Sequence, residues 1–285
     1  MRFTTSLRAV AGVALAGGLL LTASCKKNNE VTSADDVVSA QDTGLGQEED
    51  AATADMVEAA APQDAMAATS ATVADTPELA RLLPPCATRT YDAAMRTLTL
   101  NFGPTNCLCP DGRYRRGILR AVFSGPYRQA GAVVTISRTS YFVNDNQHLG
   151  TRIITSLGSG SFDLAVQDAS IIFANGGGTT AWSSQRRYVR TAGFGTPSIL
   201  GDSYSITGSL TGTNRRGISY TAAIQQPLLK KFALGCARHF VAGTIELTNT
   251  NAKAMLLNYD PTGTQACDNI ASVTLNGRTY PIQLR

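Results

Sequence analysis

Runs rich in Val, Ile, Thr, Ser and Tyr, separated by Gly-, Asn- and Asp-containing breaks, constrain this chain more than any other feature. "GILRAVFSG", "AVVTISRTSYFV", "TRIITSLG", "FDLAVQDASIIFA", "SYSITGSLTG" and "FVAGTIELT" are examples. Such runs read as β-strands. Asn276-Gly277, inside "ASVTLNGRTYPIQL", is a strong two-residue hairpin signal, and "FVNDNQHLG" and "FANGGGTTA" read as longer hairpin loops. No run in this region keeps a helical spacing, although Thr76 to Leu83 can begin a short helix. Parallel pairing needs long crossovers, which the short breaks do not supply. The expected fold is therefore all-β, an antiparallel sandwich or curled meander of about ten to twelve strands.

Ahead of the strand-rich part lies a different chemistry. Arg2 and Arg8 precede an uncharged apolar run, Ala9 to Leu21, whose 13 residues fall short of the ~20 that span a bilayer as a helix. Thr22-Ala23-Ser24-Cys25 follows and resembles the lipobox of bacterial lipoproteins, which places the cut before Cys25 and a lipid (palmitate among its acyl chains) on it. The usual Leu three places before the cysteine is Thr22 here. Two or three acyl chains, at ~0.8 kcal/mol per buried methylene, hold a protein in a leaflet where one does not. Residues 1–24 thus read as a signal peptide, and 25–80 as the lipidated cysteine with an acidic tether. From Lys26 to Ala80 there are 12 acidic residues, two lysines, 14 alanines and no aromatic ring. Such a composition predicts disorder, with short helical turns around Asp55 to Ala61 and a reach of about 40 Å.

Charge divides the chain in two. The tether carries −10, whereas residues 81–285 carry 21 basic and 9 acidic side chains, or +12, and 18 of the basic ones are arginine. One reading is an anionic partner such as a glycan, a lipopolysaccharide or an envelope polymer; nucleic acid is not expected. The plainer reading is that arginines guard strand edges and the acidic tether partly neutralises them in cis.

The cysteines follow a weak internal repeat. "LTLNFGPTNC" at 98–107 echoes "LLNYDPTGTQAC" at 256–267, and Cys86-Ala87 and Cys236-Ala237 precede the two copies. "RRGI" also occurs twice, at 115–118 and 215–218. The repeat pairs Cys86 with Cys107 and Cys236 with Cys267, leaving Cys109 over, although Cys107 and Cys109 can exchange roles. Zinc is disfavoured, because Cys107-x-Cys109 is too tight a spacing and His148 and His239 sit in unrelated segments.

Raw material for catalysis is sparse: two histidines, one glutamate and eight aspartates in 81–285, with no nucleophile elbow, zincin or phosphate-loop motif. Asp163 and Asp168, an odd five residues apart, are expected on opposite faces of a strand. "PDG" at 110–112 and "CDN" at 267–269 read as turns before they read as calcium ligands. No enzyme activity and no cofactor are expected. In "TTAWSSQRRYVR" a period of two puts Trp182, Ser184, Arg186, Tyr188 and Arg190 on one face. Trp182, Arg186 and Tyr188 are the candidate ligand face; the alternative is that Trp182 fills the core and the arginines lie at the strand's wet end.

"NFGPTNCLCPDGRYRRGIL", "GPYRQAGAVV", "YFVNDNQHLGTRIIT", "GDSYSITGSLTGTN" and "NGRTYPIQLR", together with the lipobox and acidic tether, resemble a group of uncharacterised lipoproteins from Bacteroidota over roughly 86–285. The resemblance implies an outer-membrane lipoprotein and carries over no activity. The acidic surface-export signal of some such proteins is replaced here by Lys26-Lys27-Asn28-Asn29-Glu30, so the facing leaflet stays open. Three functions follow as expectations: a non-catalytic binding or structural module, a lipid or lipopolysaccharide carrier with an apolar groove, and an envelope-polymer hydrolase.

Overall fold

The computed structural model describes residues 34–61, 83–194, 201–233, 236, 239–250 and 254–284. The lipobox with Cys25, and residues 76–82 of the short helix expected from Thr76, lie outside the described residues. One helix, α1 (Ala34–Ala60), precedes the strands β1 (Thr88–Asp92), β2 (Thr97–Asn101), β3 (Cys107–Leu108), β4 (Tyr114–Phe123), β5 (Val133–Val143), β6 (Asn146–Gly158) and β7 (Ser161–Ile172). Then come β8 (Thr179–Ala192), β9 (Ser203–Thr213), β10 (Ser219–Lys231), β11 (Phe240–Asn249), β12 (Ala254–Asn258), β13 (Ile270–Leu275) and β14 (Arg278–Gln283).

All fourteen strands form one antiparallel sheet in chain order, with β3 set aside so that β2 pairs β4. This is the curled meander of the two expected architectures. The strands exceed the expected number because pieces as short as Cys107–Leu108 carry too little pattern to be read from sequence. Asn276 and Gly277 both have positive φ, as a type I′ turn requires, and join β13 to β14. "FVNDNQHLG" departs from expectation: Asn144 and Asp145, also at positive φ, make a two-residue turn between Val143 and Asn146.

The largest departure is α1. Residues 34–60, expected to be part of a disordered tether, form a helix of 27 residues. No residue of it from Val37 onward is exposed, because strands of the curled sheet and the loops between them cover it. The segment's composition favours disorder only in isolation; its partners lie in the strand-rich part of the chain. Ala40, Ala51, Ala54, Met56, Val57 and Ala60 of the helix join the apolar core, ion pairs to surrounding strands and loops fix its position, and its alanines let those strands approach. Two glycines, unfavourable within a helix by up to ~1 kcal/mol each, mark the closest approach. A Cβ on Gly46 would stand 3.2 Å from the Trp182 ring, and one on Gly44 would stand 2.6 Å from Leu284.

The apolar core lies between helix and sheet, built of inward residues such as Leu98, Leu119, Ile136, Leu164, Ile206, Ile245 and Leu257. Bulges give the sheet its curl. At Gly150, φ is +89°, and a Cβ would meet the Ala169 backbone of β7 at 2.5 Å.

Both repeat-derived disulfides are present. Cys86 joins Cys107 at a Cα separation of 5.9 Å, Cys236 joins Cys267 at 4.7 Å, and Cys109 is a buried free thiol. The repeat is structural: β2 and β12 each end in an asparagine whose side chain accepts the backbone N–H two residues on, at 2.9 Å for Asn101 and for Asn258. Each is followed by a buried ring, Phe102 and Tyr259. "RRGI" does not share this equivalence, since 115–118 lies within β4 and 215–218 in the turn after β9. Cys236→Ala is expected to lower stability by about 2–5 kcal/mol. Cys109→Ala is expected to leave the melting temperature nearly unchanged. Thermal melts and peptide mapping without reductant check both; a Cys109–Cys267 peptide would refute the pairing.

Candidate functional site

The inner face of the sheet is basic, and α1 supplies the acids that meet it. Asp42 accepts from the Arg215 Nε at 2.7 Å and from its backbone N–H at 2.8 Å. Glu48 takes Arg113 at 3.2 Å and the His239 Nδ1 at 2.9 Å, while Glu49 takes the other arm of Arg113. Asp50 accepts from the Arg152 Nε and Nη2 at 3.0 and 2.8 Å, and from the Trp182 indole N–H at 2.8 Å. Asp55 pairs with Lys230, and Glu58 with Arg128 and the Tyr127 hydroxyl. Arg138 donates to the Thr53 hydroxyl at 2.7 Å, and Arg186 to the Gln47 amide oxygen at 2.8 Å. Arg113, just before β4, and Arg115, Arg152, Arg186 and Lys230 of the strands are all buried, so part of the basic charge faces inward, while Arg120, Arg187 and Arg278 stay exposed. Cis neutralisation by the acidic segment is therefore right, but at the core and not at strand edges.

Burial and pairing compete at each carboxylate. Burial would raise Glu49, but Arg113, with His148, Arg115 and Arg138 behind it, holds it down to about 2. Burial wins at Asp55, which rises to about 6 against the pull of Lys230, and at Glu58, which rises against Arg128. Burial also drives His148 down to about 3, beyond physiological titration.

The candidate ligand face on β8 is geometrically as expected: Trp182, Ser184, Arg186 and Tyr188 are all buried on one side, with Arg190 at its end. That side faces α1. Trp182 fills the core, as the alternative had it, but Arg186 is not at a wet end: it is 3% exposed. Other polar candidates are already engaged. Asp111 of "PDG" forms a two-pronged pair with Arg115 at 2.7 and 2.6 Å, and Asp268 caps the Ile270 N–H at 2.9 Å. Asp163 pairs with Arg187 at 2.7 and 2.8 Å. A bulge between Val166 and Ala169 corrects the expected placement of the two aspartates, since the extra residue turns Asp163 and Asp168 to the same outer face. No group of three or more His, Cys, Asp or Glu among the described residues could hold a metal ion. No helix among them is long and apolar enough to cross a membrane.

An open groove of about 830 Å³ crosses the outside of β7 to β11. Strand register sets its lining: Ser183 stands opposite Thr211, Thr211 opposite Thr221, and Thr221 opposite Thr248. A hydroxyl side chain is thus repeated at each strand, about 4.8 Å apart. Ser170, Thr213, Ser219, Asn249 and Asp168 are also among its lining residues, as are Trp182 and Tyr220. Sequence reading missed this row, although the alternation of Ser and Thr in β9 and β10 carried its signal. No family model, no curated protein and no solved structure matches the chain.

Seating of α1 is expected to fail in acid. The Glu49 pKa is depressed, so its contribution is present above 4.5 and lost as pH falls toward 2. That loss is on the order of 3 kcal/mol. The sole tryptophan packs on α1, so its emission should shift to the red on acidification over that interval. Glu49→Gln should flatten this acid limb and lower stability at neutral pH; an unchanged limb would remove Glu49 from the explanation.

Proposed function

We propose that this chain is an envelope lipoprotein, anchored in the outer membrane through Cys25, whose β domain is a non-catalytic binding module for an envelope glycan. The observation that supports it best is the hydroxyl row in the outer groove. Donor–acceptor hydroxyls repeated at strand spacing can exchange hydrogen bonds with successive sugar hydroxyls, and a 830 Å³ groove is large enough for several. Its lining has one carboxylate, Asp168, and no cation, which suits a neutral or weakly charged stretch of polymer better than a densely anionic one. The anionic version of the reading drew on the arginine excess, and α1 occupies the inner arginines. The carrier reading needs an open apolar concave face; that face is filled by α1 and lined with charge. The hydrolase reading draws no support from Asp163, which Arg187 holds in an ion pair.

The amino end bears on the anchor. With Cys25 acylated, the eight residues 26–33 separate the lipid from Ala34, a far shorter link than the 55 residues of the expected tether. The proposed membrane attachment thus reaches at most about 30 Å before the helix begins.

Two measurements test these proposals. Cys25→Ser should move the protein from the membrane to the soluble fraction and leave its β-rich circular dichroism unchanged; a variant that still pellets after a salt wash refutes the lipid anchor. Thr211→Val with Thr221→Val keeps strand shape and removes two central hydroxyls. On a glycan array it should weaken retention at least about tenfold, since each hydrogen bond is worth roughly 1 kcal/mol, with the melting temperature held. Retention equal to that of the unaltered chain would place glycan binding elsewhere.

A further inference from the structure

Four arginines are buried among the described residues: Arg113, Arg115, Arg152 and Arg186. Arg113 faces Glu48 and Glu49, Arg115 faces Asp111, and Arg152 faces Asp50. Arg186 faces no carboxylate. Its Nε donates to Gln47 at 2.8 Å, and its Nη1 and Nη2, both buried, have no acceptor. A guanidinium stays protonated at any pH a protein meets, so this charge cannot be shed as a buried lysine or histidine would shed its own. Burial pulls the Arg186 pKa down, and Asp50, which acts on it from a distance, is already taken by Arg152 and Trp182.

The polar groups around it share the same shortage. Gln47 Nε2, Ser184 Oγ and the Tyr259 hydroxyl are buried without partners. Gln47 must turn its oxygen to the guanidinium, which leaves its NH₂ as a donor. Ser184 lies two residues before Arg186 on the same inward side of β8. The Tyr259 hydroxyl, just after β12, faces α1 3.9 Å from where a Cβ on Gly44 would stand, one turn before Gln47. Water can satisfy these donors but does not balance the charge; an anion does both. Position 47 also breaks an acidic run, Gln47-Glu48-Glu49-Asp50, at the residue that meets this arginine.

We propose that Arg186, Gln47, Ser184 and Tyr259 form a buried site for one small inorganic anion of halide size, seated between α1, β8 and the end of β12. The anion accepts from the two free guanidinium nitrogens and from the donors of the other three residues, and α1 closes it off from solvent. The site is independent of the outer groove. It makes the anion a part of the folded domain, binding the native state and not the unfolded chain.

The test uses the full chain in detergent, with bromide as the probe and gluconate, too bulky for the site, as the control at equal ionic strength. Bromide should raise the melting temperature by a few degrees, roughly 2–6 °C at saturating concentration. Gln47→Glu supplies a carboxylate in cis, so it should abolish that response. Crystals grown in bromide should show an anomalous peak within hydrogen-bonding reach of Arg186. The peak decides the matter if Gln47→Glu does not fold. Its absence overturns the proposal, and so does a bromide response in Gln47→Glu equal to that of the unaltered chain.

Discussion

Charge pairing across the surface of α1 is the constraint on which the rest of this fold depends. A helix with eight acidic residues and no basic one is enclosed by a sheet whose inner face carries buried arginines and a buried lysine. Neither surface could be buried alone, because an unpaired charge removed from water costs several kcal/mol. Together they make a core in which apolar packing and ion pairing interleave. Buried ion pairs often add little net stability compared with well-packed apolar groups, and their better-attested effect is to fix register. That fits this arrangement, because an alanine-rich helix has few apolar knobs to set its axial position. Asp42, Glu48, Glu49, Asp50, Asp55 and Glu58 each meet a defined partner and set it instead.

The same pairing shapes how the chain must fold. Asp50 meets Trp182 across 132 residues and Glu48 meets His239 across 191, so α1 binds strands from distant parts of the meander. Hairpins can form locally, but the curl completes only when these long-range contacts are made. High sequence separation of this kind slows folding.

Local features were legible in the sequence and face assignments were not. Asn276-Gly277, the paired disulfides and the antiparallel meander follow from two-residue turns, a repeat and short breaks, all of which act over a few residues. The period of two correctly grouped Trp182, Ser184, Arg186 and Tyr188. It could not say that their side faces a helix 130 or so residues upstream. The bulge that brings Asp163 and Asp168 to one face leaves no mark in the alternation of a single strand. The helix is not legible in its own segment because its partners lie far along the chain. The opposed charges of residues 26–80 and 81–285, −10 and +12, were the signal, and they gain meaning only when the two segments are considered as one core.

The choice of arginine over lysine follows from the same geometry. Residues 81–285 hold 18 arginines and three lysines, a ratio that a solvent-facing basic surface does not need. Arg152 shows the reason. Its Nε and Nη2 hold Asp50 while Nη1 donates to the carbonyls of Leu149 and Gly150 at 2.9 and 3.2 Å, so one side chain pins the helix and satisfies strand carbonyls left open by the bulge at Gly150. A lysine offers a point charge on a flexible stem and cannot span both. Where the curled sheet must both bend and grip, the planar fork does the two jobs at once. The inner face is thereby committed to the chain's own helix, and the outer face, rich in serine and threonine, is left to meet whatever the protein binds.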